Sequence, residues 1–271
     1  MPELAMVTAP ADRLLAALRR CHDELTARVS RLGEADLTRR SYRIDWSIAQ
    51  VLSHLGRGAE ITLAQLQAAR ADTTPLGPDD VRPVWARWDA RSPQQQAAAF
   101  ADAVPRLFDA VDALDGAERR RLRPYQIIVG HVDLPTFLAF SLNEQAMHGW
   151  EVHVVFEPEL PVDAEAVELL VELLPFGASL VDDKVLGALA PARLAIETSD
   201  PARRFVLALG DQAHLGLGPA EDGEVSGSLR LPTEALVRLF TGRLDPAHTP
   251  AGTRAEGRPF LDELRRLYPL R

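Results

Sequence analysis

Cysteine is almost absent from this chain. Its scarcity excludes disulfides within the chain and indicates the kind of compartment in which the protein functions. Cys21 is the only cysteine among 271 residues, so no disulfide can form within the chain. Disulfides persist mainly in oxidising compartments, and a chain without them fits a reducing one. We therefore expect a cytoplasmic protein in which Cys21 packs as a small buried side chain.

Long apolar runs are also missing. No stretch approaches the roughly 20 consecutive apolar residues that span a bilayer. The N-terminal segment Met1-Pro2-Glu3-Leu4 lacks the basic residues and apolar core of a secretory signal. The sequence thus predicts no membrane partner and no export.

A surplus of basic charge is the third feature that the sequence lacks. The formal net charge is −9, and Lys184 is the sole lysine. Nucleic-acid grooves rely on clustered lysine and arginine to neutralise phosphates. We therefore expect no nucleic-acid partner.

Apolar residues at helical spacing dominate the first 156 residues. Their four long stretches cover residues 11–32, 45–70, 92–114 and 133–156. Asp45 or Ser47 can cap the second stretch, and Ser92 with Pro93 suits the start of the third. We predict a four-helix bundle over residues 1–156.

The connections within this bundle are expected to be unequal in length. Residues 71–83, which include Arg82, are rich in turn formers and are predicted as a loop. A short helix is expected over residues 84–90. Residues 127–129 are three β-branched residues in a row, which favours a short extended piece.

The periodicity changes in the last third of the chain. Short runs bounded by turn residues predict strands over 193–198, 204–209, 213–217 and 224–231, the first three as a meander. Helices are expected over 232–239 and 260–267. Residues 157–271 are therefore predicted as a small α+β domain, which makes the whole chain a two-domain α+β protein.

Glu144 and His148 are the polar residues that the bundle explains least well. They lie four residues apart, so they project from one face of the fourth helix, which also carries Phe137, Phe140 and Met147. A carboxylate among apolar side chains must be paired, protonated or bound to a cation. Two readings remain open from the residues alone, namely a hydrogen bond along the helix face or two ligands of a metal ion.

His54 supplies the third ligand that a metal site needs. It lies on the second helix, at the margin of the apolar face, where a bundle can bring it opposite the fourth helix. Two histidines and one carboxylate are a common ligand set for zinc and other divalent ions, and they leave a position open for water or substrate.

Two segments resemble a known family. Residues 45–55, a capped Trp46 entry leading to His54, are similar to the first signature of the mycothiol-dependent maleylpyruvate isomerase family. Residues 134–154 are similar to its second signature, although Glu151 stands near a position that is more often Asp. That family belongs to the DinB-like superfamily of metal-binding four-helix bundles, and residues 157–271 resemble its sterol-carrier-like second domain.

The resemblance implies a ligand set and a chemistry. The family's metal ligands fall on His54, Glu144 and His148, with zinc as the first choice among divalent metals. Glu151 could orient His148 or be a solvated surface acid, and Arg82 could bind an acidic substrate or be an exposed arginine. The cosubstrate implied is mycothiol or a related low-molecular-weight thiol, which the metal would activate as a thiolate toward a small electrophile.

Three functions follow from these observations. The first is a maleylpyruvate isomerase-like enzyme or an S-transferase. The second is a non-catalytic DinB-like protein that binds a metal or a thiol, and the third is a bundle without metal, in which Glu144 and His148 are simply hydrogen-bonded. The sequence leaves open whether the chain forms a homodimer and which electrophile it uses.

Overall fold

The computed structural model describes residues 7–43, 45–219 and 225–270. They form two compact units whose boundary lies between Ala166 and Val167. Helices build the first unit, and a five-stranded sheet with short helices builds the second, so the predicted two-domain α+β fold is confirmed. The predicted division after residue 156 stays a prediction. The signal-sequence expectation at residues 1–4 and the predicted strand start at Glu224 lie outside the described residues.

Four long helices make up most of the N-terminal unit, as predicted. Its helices are α1 (Ala11–Val29), α2 (Glu34–Leu37), α3 (Ile48–Ala71), α4 (Pro78–Asp89), α5 (Pro93–Asp112), α6 (Gly116–Arg121) and α7 (Leu134–His153). The main packing pairs are α1 with α7 and α3 with α5. Within the described ranges, none of the helices combines the length and the apolar character that crossing a bilayer requires.

Side-chain caps mark the starts of three of the four long helices, namely α3, α5 and α7. The Ser47 hydroxyl accepts a hydrogen bond from the Gln50 backbone N–H, and the Gln50 side chain accepts one from the Ser47 N–H. Ser92 and Gln95 repeat this reciprocal pair at the start of α5. At the start of α7, the Asp133 carboxylate accepts a hydrogen bond from the Thr136 backbone N–H. Each cap satisfies N–H groups that the first helical turn leaves unpaired.

The predicted loop 71–83 is wrong in its second half. Helix α4 begins at Pro78, so Arg82 lies on a helix and not in a loop. Proline suits the first helical position because the N–H that it lacks has no partner there. The Asp80 carboxylate then accepts a hydrogen bond from the Gly77 N–H at 2.8 Å, which closes the first turn.

The predicted extended piece at residues 127–129 is also wrong. These residues form the turn of a hairpin between β1 (Tyr125–Gln126) and β2 (Gly130–His131). The Gln126 side chain accepts a hydrogen bond from the Ile128 N–H at 2.6 Å, which favours the turn over the extended form. Gly130 adopts φ +87°, a left-handed conformation that costs glycine little.

The C-terminal unit is a mixed sheet with helices. Its strands are β3 (Ala192–Ser199), β4 (Arg203–Leu209), β5 (Ala213–Leu217), β6 (Gly227–Pro232) and β7 (Arg254–Gly257), in the spatial order β5-β4-β3-β6-β7. The predicted meander β3-β4-β5 is confirmed, whereas β6 pairs parallel to β3. The helices are α8 (Ala164–Leu170), α9 (Leu174–Ser179), α10 (Asp183–Ala188), α11 (Thr233–Phe240) and α12 (Leu261–Leu267).

Candidate metal centre

Helices α3 and α7 bring together the three predicted metal ligands, which are His54, Glu144 and His148. The Nε2 atom of His54 lies 2.9 Å from Oε2 of Glu144, although the two residues are 90 positions apart. The Nε2 atom of His148 lies 3.5 Å from the same oxygen. The potential ligand atoms of the three residues all lie within 4.8 Å of one another.

The local sequence explains why these side chains converge. His54 lies on the second turn of α3, whose start is set by the Ser47 cap, and the buried Val51 and Leu55 hold that turn in the bundle. Glu144 and His148 share one face of α7, as their spacing predicts. The three side chains therefore meet because two apolar helix faces pack, with no irregular loop required.

Glu151 holds the imidazole of His148 from behind. Its side chain is completely buried, and its Oε2 lies 2.7 Å from Nδ1 of His148. An Nδ1–H that donates to this carboxylate leaves Nε2 with a lone pair, which is the arrangement of most metal-bound histidines. The alternative in which Glu151 is a solvated surface acid is excluded by its burial.

Trp46 flanks both histidines, a contact that the sequence analysis missed. Its ring lies 5.2 Å from the His54 ring and is stacked on the His148 ring at 6.1 Å. The guanidinium of Arg43 covers the Trp46 ring at 4.4 Å. The only signal in the sequence was the position of the tryptophan just before the α3 cap, which is equally typical of a core aromatic.

The pKa shifts of Glu144 and His54 favour the protonation states that bind a metal ion. Desolvation by the surrounding protein acts to raise the pKa of Glu144, but its interactions with the imidazoles of His148 and His54 outweigh this effect and hold that pKa well below its ordinary value. Burial lowers the pKa of His54, against the hydrogen bond to Glu144. Glu144 is therefore ionised and His54 neutral at neutral pH, and these are the forms that bind divalent cations.

A cavity of about 60 Å³ adjoins the site, and all four long helices line it. His54 and Glu144 form one part of its wall, and Gln145 follows directly on α7. The apolar part of the wall consists of Leu18, Leu55, Ala59, Val104 and Leu107. The side chain of Glu144 is 49% exposed, so its carboxylate is open to an incoming ligand.

The other candidate residues lie elsewhere. Arg82 lies on the exposed surface of α4, where it forms an ion pair with Asp79. Cys21 is buried, and burial raises the pKa of its thiol to about 12, so it is no nucleophile at neutral pH. His131, on the hairpin, is exposed and bonds to the backbone carbonyl of Arg123.

Two of the separations among the candidate ligands can be compared with those of a tetrahedral metal site. Nitrogen and oxygen ligands lie about 2.0 Å from zinc, so two of them in a tetrahedral site are about 3.3 Å apart. The separations of 2.9 Å and 3.5 Å measured from Oε2 of Glu144 bracket this value. Three protein ligands leave a fourth position open, as catalytic zinc sites do.

Comparisons with known proteins agree with the fold. A family model described as the mycothiol maleylpyruvate isomerase N-terminal domain matches residues 18–153. The crystal structure of the mycothiol-dependent maleylpyruvate isomerase is similar over 91% of this chain and 93% of its own, with 16% identity and a TM-score of 0.64. A histidine-to-alanine mutant of that isomerase gives 15% identity over the same shares and a TM-score of 0.65. No protein with a curated description matches the chain.

The fold and the site define a helical-bundle protein with a candidate His-Glu-His metal centre, followed by an α+β region. Because the family model covers half of the chain, the chain belongs to the mycothiol maleylpyruvate isomerase N-terminal domain family. The resemblance stated from the two sequence segments is thereby confirmed.

Proposed function

We propose that this protein is a metal-dependent isomerase or S-transferase that uses mycothiol or a related low-molecular-weight thiol on a small electrophile. The observation that carries the proposal is the meeting of His54, Glu144 and His148 beside a cavity, with Glu151 behind His148. Membership of the family and the likeness to the isomerase structures support the thiol and the reaction class.

The three ligands would hold a divalent cation, with zinc as the first choice. A zinc ion there would lower the pKa of a thiol in its open position, so that the thiol acts as a thiolate at neutral pH. Glu151 fixes the tautomer of His148, and Trp46 covers the rings of both histidines. The open side of Glu144 faces the space in which a thiol and an electrophile could meet.

Metal content tests the ligand set directly. Protein purified without an affinity tag should contain about one zinc per chain by elemental analysis. His54→Ala should lose most of this zinc because one of three ligands is gone. The matched control is His131→Ala, at an exposed histidine on the hairpin, which should keep it. Zinc that is sub-stoichiometric and unchanged by His54→Ala would overturn the site.

Turnover separates an enzyme from a binding protein. We expect isomerisation of maleylpyruvate, or conjugation of a related electrophile, only when mycothiol and the metal are both present. Metal-loaded protein that is inert across a panel of thiols and electrophiles would favour the non-catalytic alternative. A protein that holds no metal would favour the bundle with a hydrogen-bonded Glu144.

A further inference from the structure

Gln145 carries a buried donor that the bundle does not use. The residue is 3% exposed, and its Nε2 has no hydrogen-bond partner among the described residues. Buried amide groups nearly always have a partner, so an unpaired donor on the wall of a cavity points to a ligand. The terminal torsion of glutamine is broad, so the amide can turn toward the cavity without leaving its rotamer.

The rest of the cavity wall says what kind of ligand fits. Most of it is aliphatic, and the residues that line it include no lysine or arginine. The hydroxyl of Ser141 is already donated to the Phe137 carbonyl at 3.2 Å. A carboxylate in this space would be buried without a counter-charge, whereas an uncharged carbonyl needs only one donor. The wall therefore favours the uncharged carbonyl of a ligand, with any carboxylate of that ligand lying outside the cavity.

The position of Gln145 relates this acceptor to the candidate metal centre. Gln145 follows Glu144 on α7, and both side chains line the same cavity. A group whose oxygen reaches Gln145 would thus have its neighbouring carbons near the open side of Glu144. This is where a thiol would lie if the proposed function is correct.

We propose that Gln145 Nε2 donates the hydrogen bond that holds the carbonyl oxygen of the α,β-unsaturated electrophile in this cavity. The inference rests on the proposed function for its chemistry. The thiolate sulfur bonds to the β-carbon, and the π electrons of the C=C bond move to the carbonyl oxygen as an enolate. Rotation about the former double bond and return of these electrons expel the thiolate, so the isomerisation consumes nothing.

Gln145 stabilises the enolate oxygen more strongly than the ground-state carbonyl because charge develops on it. Gln145→Met keeps the length of the side chain and removes the donor. We expect its kcat with maleylpyruvate and mycothiol to fall about 100-fold, with a much smaller change in KM and an unchanged zinc content.

The matched control makes the same substitution at another buried glutamine of the bundle. Gln96 lies on α5 outside the cavity wall, and its amide donates to the Trp88 carbonyl. Gln96→Met should keep the kcat of the wild type. If Gln145 had only a structural role, Gln145→Met would lose thermal stability and activity together, and this outcome would overturn the inference.

A second readout needs no turnover. The side-chain NH₂ signals that disappear from the ¹⁵N–¹H spectrum of Gln145→Met belong to Gln145. In the wild type we expect these signals to shift when maleylpyruvate is added without a thiol.

The two readouts distinguish this inference from the proposed function. Turnover with an unmoved Gln145 signal and an unaffected Gln145→Met kcat would overturn the inference and leave the function. A moved signal without any thiol-dependent turnover would leave the carbonyl site and overturn the function. An unmoved signal without turnover would overturn both.

Discussion

At the scale of single residues, Glu151 acts on the candidate metal centre through its contact with His148. A completely buried carboxylate is costly unless it is hydrogen-bonded, and its contact with His148 Nδ1 meets that need. The same contact orients the imidazole toward Glu144. This hydrogen bond therefore contributes both to stability and to the geometry of the candidate ligand.

Glu151→Gln should weaken zinc binding about 10- to 100-fold, because the charge that fixes the tautomer of His148 is lost. Competition with a chromogenic chelator measures the affinity. Glu60→Gln is the matched control, since Glu60 accepts a hydrogen bond from the ring N–H of the buried Trp88 on another face of the bundle. Equal zinc affinities of Glu151→Gln and the wild type would contradict the orienting role.

His153 should make the stability depend on pH. Burial, with Arg28 nearby, lowers its pKa to about 4 in the folded state, against an ordinary value of 6.5. The unfolded chain therefore binds the proton first as the pH falls, so stability is full above about pH 6.5 and is lost toward about pH 4. We expect the Tm to fall between about pH 7 and pH 5, and to fall less in His153→Gln. Thermal melts with the same pH slope for both proteins would rule this out.

Sequence reasoning identified the candidate ligands but not their surroundings. Helical spacing joins Glu144 to His148, and the position of His54 on the second helix of a bundle added the third candidate, on which the resemblance agrees. The burial of Glu151 could not be predicted, since an acid three residues after a histidine has the same pattern on a wet or a dry face. The contacts of Trp46 and the cavity at Gln145 depend on how four helices pack, which no local pattern records.

At the scale of elements, the caps decide where the ligand-bearing helices begin. Ser47 starts α3 seven residues before His54, so the cap fixes the position of a ligand as well as the stability of the helix. Ser92 makes the same cap on α5, a helix without a candidate ligand. Variants at the two serines can therefore distinguish the effect of a cap on helix stability from its effect on the position of His54.

Ser47→Ala and Ser92→Ala should each lower the free energy of unfolding by about 1 kcal/mol, because N–H groups of the first turn lose their partner. Chemical denaturation measures both losses. Only Ser47→Ala should also weaken zinc binding, since fraying of the first turn of α3 moves His54. Similar zinc affinities of the two variants would show that the cap acts on stability alone.

The elements predicted correctly are those whose apolar residues follow a clear helical or strand period, with side-chain caps at the starts of α3, α5 and α7. The errors fall where local side-chain hydrogen bonds outweigh the intrinsic propensity of the residues. At residues 127–129, for example, the hydrogen bond from the Ile128 N–H to the Gln126 side chain stabilises a turn of three β-branched residues. Strand β7 went unnoticed because the exposed residues 254–257 carry no alternation of apolar and polar side chains. Its place at the edge of the sheet depends on pairing with β6, which lies outside its own sequence.

At the scale of the whole molecule, a metal that binds only the folded chain must stabilise it. At a free zinc concentration about 100 times the Kd, the gain is about 2.7 kcal/mol. We expect a chelator to lower the Tm of the wild type and zinc to restore it. His54→Ala should show a Tm that neither treatment changes, and a wild type insensitive to both would argue against a bound cation.

The separation of His54 from Glu144 has a consequence for synthesis in the cell. At about 5–20 residues per second, His54 leaves the ribosome roughly 5 to 20 seconds before the second ligand follows. During that interval a nascent chain offers zinc only one of the three candidate ligands, His54. Metal loading would therefore be a late step, open only to a chain whose last long helix has been made, so that truncated products would remain without metal.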